Sequence, residues 1–141
     1  MNIEEVKEYG VYLKHHGYNC VQAVVMTLAE YCGYDCQELL KAVSGFAVDM
    51  GMMEATCGSL IGVNIIAGLR CGGKGTVAYS AQLLKYFENK SKATICKVLK
   101  GVETGEVLCQ YDDCVRNAIA AFAEVLIEKE GAHLERSLRD Y

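Results

Sequence analysis

The sequence contains no proline, and no segment of it alternates β-branched and polar residues with the period of a β-strand. Its glycines fall between segments in which apolar residues recur at helical spacing. A chain of 141 residues can bury one full core but is too short for two ordinary domains. We therefore expect an all-α protein, a compact single-domain bundle of about six to seven helices.

The chain also lacks the features of membrane, secreted and nucleic-acid-binding proteins. No apolar run reaches the roughly 20 residues that a membrane span needs. Residues 1–5 have neither the basic nor the apolar region of a signal peptide. A net charge of −4 provides no basic surface for DNA or RNA. These absences predict a cytoplasmic protein with no nucleic-acid and no membrane partner.

Two cofactor motifs are absent or incomplete. The haem-attachment pattern C-x-x-C-H does not occur, so we expect no c-type haem. The letters from Gly68 to Lys74 resemble a P-loop, but Gly75 stands where a magnesium-binding Ser or Thr is required. We therefore expect no nucleotide.

The apolar periodicity and the capping residues set the predicted helix boundaries. Asn2 and Glu5 form a capping-box pattern before the first helix, and Gly33 is a typical C-terminal glycine for the second. Helices are predicted over about 2–16, 20–32, 35–45, 57–69, 76–88, 94–99 and 114–130. Residues 46–56 are predicted to be an irregular loop, and residues 131–141 a polar tail with an exposed helical turn or two.

Four of the eight cysteines stand at predicted helix starts. Three of them directly follow a good N-cap residue, in the pairs Asn19-Cys20, Thr56-Cys57 and Asp113-Cys114, and Cys96 comes two residues after Thr94. Unpaired N–H groups and the helix dipole lower the pKa of a thiol at such a position. Because the thiolate attacks disulfides and binds metals, this pattern predicts redox or metal chemistry.

The remaining cysteines, Cys32, Cys36, Cys71 and Cys109, do not form a C-x-x-C motif. Their simplest interpretation is core packing, because free cysteine behaves as a small apolar residue. Cys71 and Cys109 are nevertheless alternatives as members of the site.

Small residues follow Cys57 in the segment Cys57-Gly58-Ser59-Leu60-Ile61-Gly62. Each glycine inside a helix costs roughly 1 kcal/mol relative to alanine, so close approach of another group must compensate. The approaching group is either a sulfur or cluster near Gly58 and Ser59, or a neighbouring helix.

The sequence resembles the C_GCAxxG_C_C family of redox-active proteins over about residues 17–127. The resemblance is carried by Asn19-Cys20-Val21-Gln22-Ala23-Val24, Gly45-Phe46, Cys57-Gly58-Ser59-Leu60-Ile61-Gly62, Gly68-Leu69, Cys96 and Cys114-Val115-Arg116-Asn117-Ala118. Two positions depart from the family pattern: Ser59 replaces its alanine, and Ala47-Val48-Asp49 stands where related chains have more glycine. The resemblance implies that Cys20, Cys57, Cys96 and Cys114 act together.

Three functional hypotheses follow. In the first, these four cysteines bind a metal centre, an iron–sulfur cluster or zinc, for electron transfer or redox sensing, with Gly58 and Ser59 beside the cofactor. In the second, Cys20 and Cys57 are a catalytic thiol–disulfide pair. In the third, the protein is a non-enzymatic helical interaction module.

The redox partner is not indicated by the sequence. The apolar surface of the predicted helices at 57–69 and 114–130 is larger than a small domain easily covers. This excess favours either a homodimer or complete burial within the domain.

Overall fold

Seven α-helices and no strand make up the part of the chain that the computed structural model describes, residues 2–131. The helices are α1 (Ile3–Lys14), α2 (Cys20–Cys32), α3 (Gln37–Ala42), α4 (Gly58–Arg70), α5 (Thr76–Ser91), α6 (Cys96–Leu99) and α7 (Tyr111–Glu130). None of these helices is both long and apolar enough to cross a membrane. The all-α prediction is confirmed, whereas the predicted polar tail lies almost entirely outside the described residues.

Helix α7 contacts four other helices of the bundle. It packs most extensively against α1 and α5, and also against α4 and α2. Its buried side chains include Ile119, Phe122 and Leu126, which recur at the spacing of one helical face. Helix α4 is not completely buried within the domain, because its residues Ile61 and Ile65 are only partly buried and border an open groove of ≈ 720 Å³.

Two glycines set the closest helix contacts. A Cβ atom on Gly62 of α4 would lie 2.9 Å from Cβ of Val24 in α2. A Cβ on Gly10 of α1 would lie 2.8 Å from Cδ1 of Ile119 in α7. Close packing between helices therefore explains Gly62 in the small-residue segment that follows Cys57.

Three of the predicted helix ends have the expected caps. The side chain of Asn2 accepts a hydrogen bond from the backbone N–H of Glu5, at 3.0 Å. Asn19 and Gln22 form a reciprocal capping box at the start of α2, and Gly33 ends that helix in the left-handed conformation with φ 79°. Residues 20–32 therefore form the helix that the sequence predicts.

Three of the predicted caps are wrong. Cys57 is itself the N-cap residue of α4, so Thr56 does not cap that helix. Helix α6 begins after Ile95 rather than at Thr94, and it is only four residues long. Helix α7 begins at Tyr111 with Gln110 as its N-cap, which places Cys114 inside the first turn instead of at the helix start.

The segment between α3 and α4 consists of short turns, and its backbone angles are irregular in the stretch 46–56, where the sequence predicts an irregular loop. Val43–Phe46 forms a 3₁₀ turn and Asp49–Met53 a π turn. Val48 and Met50 have φ of 53° and 65°, which non-glycine residues rarely adopt. A β-branched residue in this conformation carries backbone strain that the surrounding structure must hold.

Candidate functional site: a buried cysteine cluster

Three cysteines from two regions of the chain lie close together at the starts of α4 and α7. Cys57 is the N-cap of α4, Cys109 precedes α7, and Cys114 lies in the first turn of α7. The thiol of Cys114 is hydrogen-bonded with the thiols of both Cys109 and Cys57. These three residues are called the cysteine cluster below.

The cluster is closed to solvent. Cys114 is 0 % exposed, Cys57 is 4 % exposed and Cys109 is 7 % exposed. All three residues are therefore buried, and Cys109 has the largest exposed fraction among them.

A lysine supplies positive charge to the cluster. Nζ of Lys100, at the end of α6, lies 3.4 Å from Sγ of Cys114 and 2.6 Å from the carbonyl oxygen of Cys109. The same ammonium group lies 3.9 Å from the centre of the Tyr111 ring. Lys100 thus occupies a fixed position against Cys114, Cys109 and Tyr111, where its charge favours a thiolate.

An amide and a hydroxyl complete the surroundings of Cys109. Nδ2 of Asn117, one turn after Cys114 on α7, lies 3.7 Å from Sγ of Cys109 and 3.0 Å from Oγ of Ser91. Ser91 is the last residue of α5 and is 0 % exposed. Helices α5, α6 and α7 therefore each contribute one polar group around the cluster.

These contacts shift the pKa values of the two neighbouring thiols, Cys109 and Cys114, in opposite directions. The hydrogen bond from Cys114 lowers the pKa of Cys109 to about 6, helped by Ser91 and by the charge of Lys100 and opposed by burial. The hydrogen bonds with Cys109 and Cys57, together with burial, raise the pKa of Cys114. The pair therefore shares one proton near neutral pH, and the fully buried Cys114 keeps it.

Cys96 is attached to the cluster region through the backbone. Thr56 and Ile95 form an isolated antiparallel bridge. The N–H of Cys57 donates to the carbonyl of Thr94 at 2.7 Å, and the N–H of Cys96 donates to the carbonyl of Ala55 at 3.0 Å. The starts of α4 and α6 are thereby joined, and the side chain of Cys96 is 1 % exposed.

Cys20 lies in the wall of a pocket next to the cluster. The pocket has a volume of ≈ 240 Å³, and its walls include Lys14, Cys20, Gly58 and Tyr111. Gly58 directly follows Cys57, and Tyr111 contacts Lys100. The predicted site residues Cys20 and Gly58 therefore share one pocket, which the cysteine cluster adjoins.

Ser59 and the other cysteines have different surroundings. Ser59 is 0 % exposed, and its Oγ has no hydrogen-bond partner among residues 2–131. Sγ of Cys32 lies 3.8 Å from Nη1 of Arg70, and burial raises the pKa of both Cys32 and Cys36. Thiolate chemistry is thus disfavoured at Cys32 and Cys36.

Within residues 2–131, no group of three or more His, Cys, Asp or Glu side chains is arranged to hold a metal ion. The thiols of the cysteine cluster contact one another through hydrogen bonds instead. The metal and cofactor roles of Cys20, Cys57, Cys96 and Cys114 therefore stay predictions.

The sequence favoured core packing for Cys109, with membership in the site as the alternative, and it indicated no role at the site for Lys100 or Asn117. Two acidic residues, Asp112 and Asp113, lie in the first turn of α7 and were the available sign that this helix begins before Cys114. With that start, Cys109 and Cys114 flank the helix N-terminus. No spacing in the sequence indicates that Lys100 lies close to Cys109 and Cys114.

The family model described as "Putative redox-active protein (C_GCAxxG_C_C)" matches residues 18–128. The chain belongs to the C_GCAxxG_C_C family. The resemblance predicted over about residues 17–127 is thus confirmed. No curated protein and no solved structure matches the chain. Membership in the C_GCAxxG_C_C family supports redox activity and names no substrate.

Proposed function

We propose that this member of the C_GCAxxG_C_C family is a thiol redox protein whose cysteine cluster cycles between a dithiol and a disulfide. The observation that carries the proposal is the contact between Cys109 and Cys114, with Lys100 at 3.4 Å from Sγ of Cys114. A thiolate beside a protonated thiol is the arrangement that disulfide exchange requires.

The exchange proceeds in two substitutions. The Cys109 thiolate attacks one sulfur of a disulfide RSSR, forms a mixed disulfide and releases RS⁻. Cys114 then gives its proton to the released RS⁻, which becomes RSH, and attacks Sγ of Cys109; this forms the Cys109–Cys114 disulfide and releases the second RS⁻. Two electrons pass from the protein to the substrate disulfide, and a thiol reductant reverses both steps.

The arrangement assigns a separate task to each neighbour. Lys100 stabilises negative charge on the sulfurs, and Asn117 orients Sγ of Cys109 from the side of α7. Cys57 holds the thiol of Cys114 from the side of α4. The alternative pair Cys20 and Cys57 stays a prediction, and peptide mapping distinguishes it from the pair proposed here.

Redox equilibration with mixtures of reduced and oxidised dithiothreitol tests the proposal. We expect one disulfide per chain, located by mass spectrometry between Cys109 and Cys114 and absent from Cys109→Ser and Cys114→Ser. Cys71→Ser is the matched control, since Cys71 lies outside the cluster. A disulfide between other cysteines, or thiols that stay reduced throughout, would overturn the proposal, and inert thiols would favour the interaction module.

A metal centre is the second candidate function. It is favoured by the convergence of Cys57, Cys109 and Cys114, with Cys96 joined to Cys57 through the Thr56–Ile95 bridge. Thiolate sulfur is the preferred ligand of both iron–sulfur clusters and structural zinc. Anaerobic purification, an absorption spectrum, and iron, sulfide and zinc analysis test it: a stoichiometric centre lost in Cys57→Ser supports the metal hypothesis over the dithiol.

A further inference from the structure

The pocket beside the cysteine cluster is lined as a small-molecule binding site would be, and it has no part in the proposed exchange at Cys109 and Cys114. Its walls combine one ammonium group, one thiol and three aromatic rings: Lys14, Cys20, Tyr18, Phe46 and Tyr111. A volume of ≈ 240 Å³ lies somewhat below the ~300–1,000 Å³ typical of small-molecule sites. The pocket therefore admits a small molecule, or one half of a larger one.

The charge of the pocket favours an anion. Nζ of Lys14 lies 4.9 Å from the centre of the Tyr111 ring, and Nζ of Lys100 lies 3.9 Å from it. The carboxylate of Asp112 is 3.8 Å from Nζ of Lys14 but only 3.0 Å from Nε2 of His15, which holds it more closely. Two ammonium groups thus face one carboxylate around Tyr111.

The remaining walls favour an apolar or aromatic body. Phe46 and Val48 enter the pocket from the turn before α4, and Tyr18 from the loop before α2. Val48 holds its strained φ of 53° at this wall. A flat ring or a short hydrocarbon chain can pack between these side chains while an acidic group meets Lys14.

We propose that this pocket binds a small organic disulfide that carries a carboxylate, and that Cys20 is the thiol that reacts with it. This inference goes beyond the proposed function, since Cys20 lies outside the cysteine cluster. The carboxylate lies against Lys14, and the body lies between Phe46 and Tyr111. The pocket wall at Gly58 leads directly to Cys57 and the cluster.

The reaction at the pocket is a disulfide exchange. The Cys20 thiolate attacks the nearer sulfur of the substrate, the substrate S–S bond breaks, and one carboxylate-bearing thiolate leaves. The other half of the substrate stays on Cys20 as a mixed disulfide, which a thiol reductant cleaves. The sulfur of Cys20 is oxidised, and the leaving sulfur of the substrate is reduced to a thiolate.

Two aromatic disulfide probes of similar shape test the charge requirement. 5,5′-Dithiobis(2-nitrobenzoate) carries carboxylates, and 4,4′-dithiodipyridine carries none. We expect the first to modify Cys20 before any other cysteine, as mapped by mass spectrometry under limiting reagent. In Lys14→Met, the ratio of the anionic to the neutral rate constant should fall about fivefold, which corresponds to loss of one partly exposed ion pair.

Lys7→Met is the matched control. Lys7 lies on α1 like Lys14, its side chain is 18 % exposed as is that of Lys14, and it pairs with Glu4 away from the pocket. Its rate ratio should equal that of the unchanged protein, and Lys14→Arg should restore most of the ratio. Circular dichroism melting verifies that each variant is folded.

The outcomes separate the two proposals. An unchanged ratio in folded Lys14→Met, or first modification at a cysteine other than Cys20, would overturn the pocket assignment, even if Cys109 and Cys114 still form their disulfide. Loss of charge discrimination in Lys14→Met supports the pocket, even if the dithiothreitol titration finds no Cys109–Cys114 disulfide.

Discussion

Nζ of Lys100 lies 3.4 Å from Sγ of Cys114 in a protein whose other α6 lysine points elsewhere. That lysine, Lys97, pairs with Glu54 at 3.1 Å and with Glu103 at 3.4 Å. Lys97, within the four-residue helix α6, thus forms a surface ion pair, whereas Lys100, the C-cap residue of α6, contacts a buried sulfur. The contrast allows the electrostatic effect of Lys100 to be measured against that of a neighbour.

Replacing Lys100 with methionine should raise the pKa of Cys109 above its value of about 6, because the charge of Lys100 is one of the causes that lower it. The measurement is the rate of iodoacetamide alkylation of Cys109 against pH, with the site mapped by mass spectrometry. Lys97→Met should leave the midpoint unchanged. An equal midpoint in folded Lys100→Met would show that Lys100 does not stabilise the thiolate.

The low pKa of Cys109 should also make stability depend on pH. Since the pKa is lowered from 9.0 to about 6 on folding, this contribution is fully present above about pH 9 and is lost as the pH falls to about 6. The free energy of unfolding of the unchanged protein, relative to Cys109→Ser, should therefore increase from pH 6 to pH 9. Urea unfolding at each pH measures it under reducing conditions.

The raised pKa of Cys114 acts in the opposite direction and only above about pH 9, where the unfolded thiol ionises. The interval from pH 6 to pH 9 therefore reports on Cys109. Cys71→Ser is the control for loss of a thiol outside the cysteine cluster. A constant stability difference for Cys109→Ser over the interval would contradict a shifted thiol.

Gly62→Ala should destabilise the protein by about 1–3 kcal/mol, because the added methyl group meets Val24 at 2.9 Å and the carbonyl oxygen of Val21 at 3.3 Å. Gly68→Ala on the same helix is the matched control: nothing lies within 4 Å of its added Cβ. That change should be neutral or stabilise by up to about 1 kcal/mol. Thermal or urea unfolding decides, and equal effects would show that α2 and α4 are not closely packed at Gly62.

Asn19→Ala should cost about 0.5–2 kcal/mol, because Asn19 accepts from the N–H of Gln22 at 2.8 Å and caps α2. Thr56→Ala should remove no cap, since Cys57 is the N-cap of α4 and that helix has no side-chain cap hydrogen bond. The loss of unfolding free energy in Asn19→Ala should therefore exceed that in Thr56→Ala by most of the contribution of one N-cap. A larger loss in Thr56→Ala than in Asn19→Ala would be contrary to these helix starts.

Local signals in the sequence were sufficient to predict that the helices exist, but not to predict where each of them starts. Asn19, Gln22 and Gly33 act on neighbours within a few residues, so the bounds of α2 could be predicted. The start of α7 was predicted at Cys114 instead of Tyr111, because Asp113 looked like a cap. In the structure Asp113 pairs with Arg116 at 3.0 Å instead.

The cysteine cluster could be predicted only in part. Cys57 and Cys114 were expected at one site, but the choice between Cys96 and Cys109 depends on how the segment between α6 and α7 folds back. That path is set by the contacts of Lys100 with the carbonyl of Cys109 and with Tyr111, which are tertiary. Helical periodicity carries no information about such contacts.

The bridge between Thr56 and Ile95 joins two segments of backbone that are distant in the sequence. Because the N–H of Cys57 donates to Thr94 and the N–H of Cys96 donates to Ala55, neither amide proton reaches solvent unless the two bridged segments separate. Deuterium should therefore enter both amides in a single opening event with a shared protection factor. The backbone at Cys57 is thus tied to the start of α6, the helix that ends at Lys100.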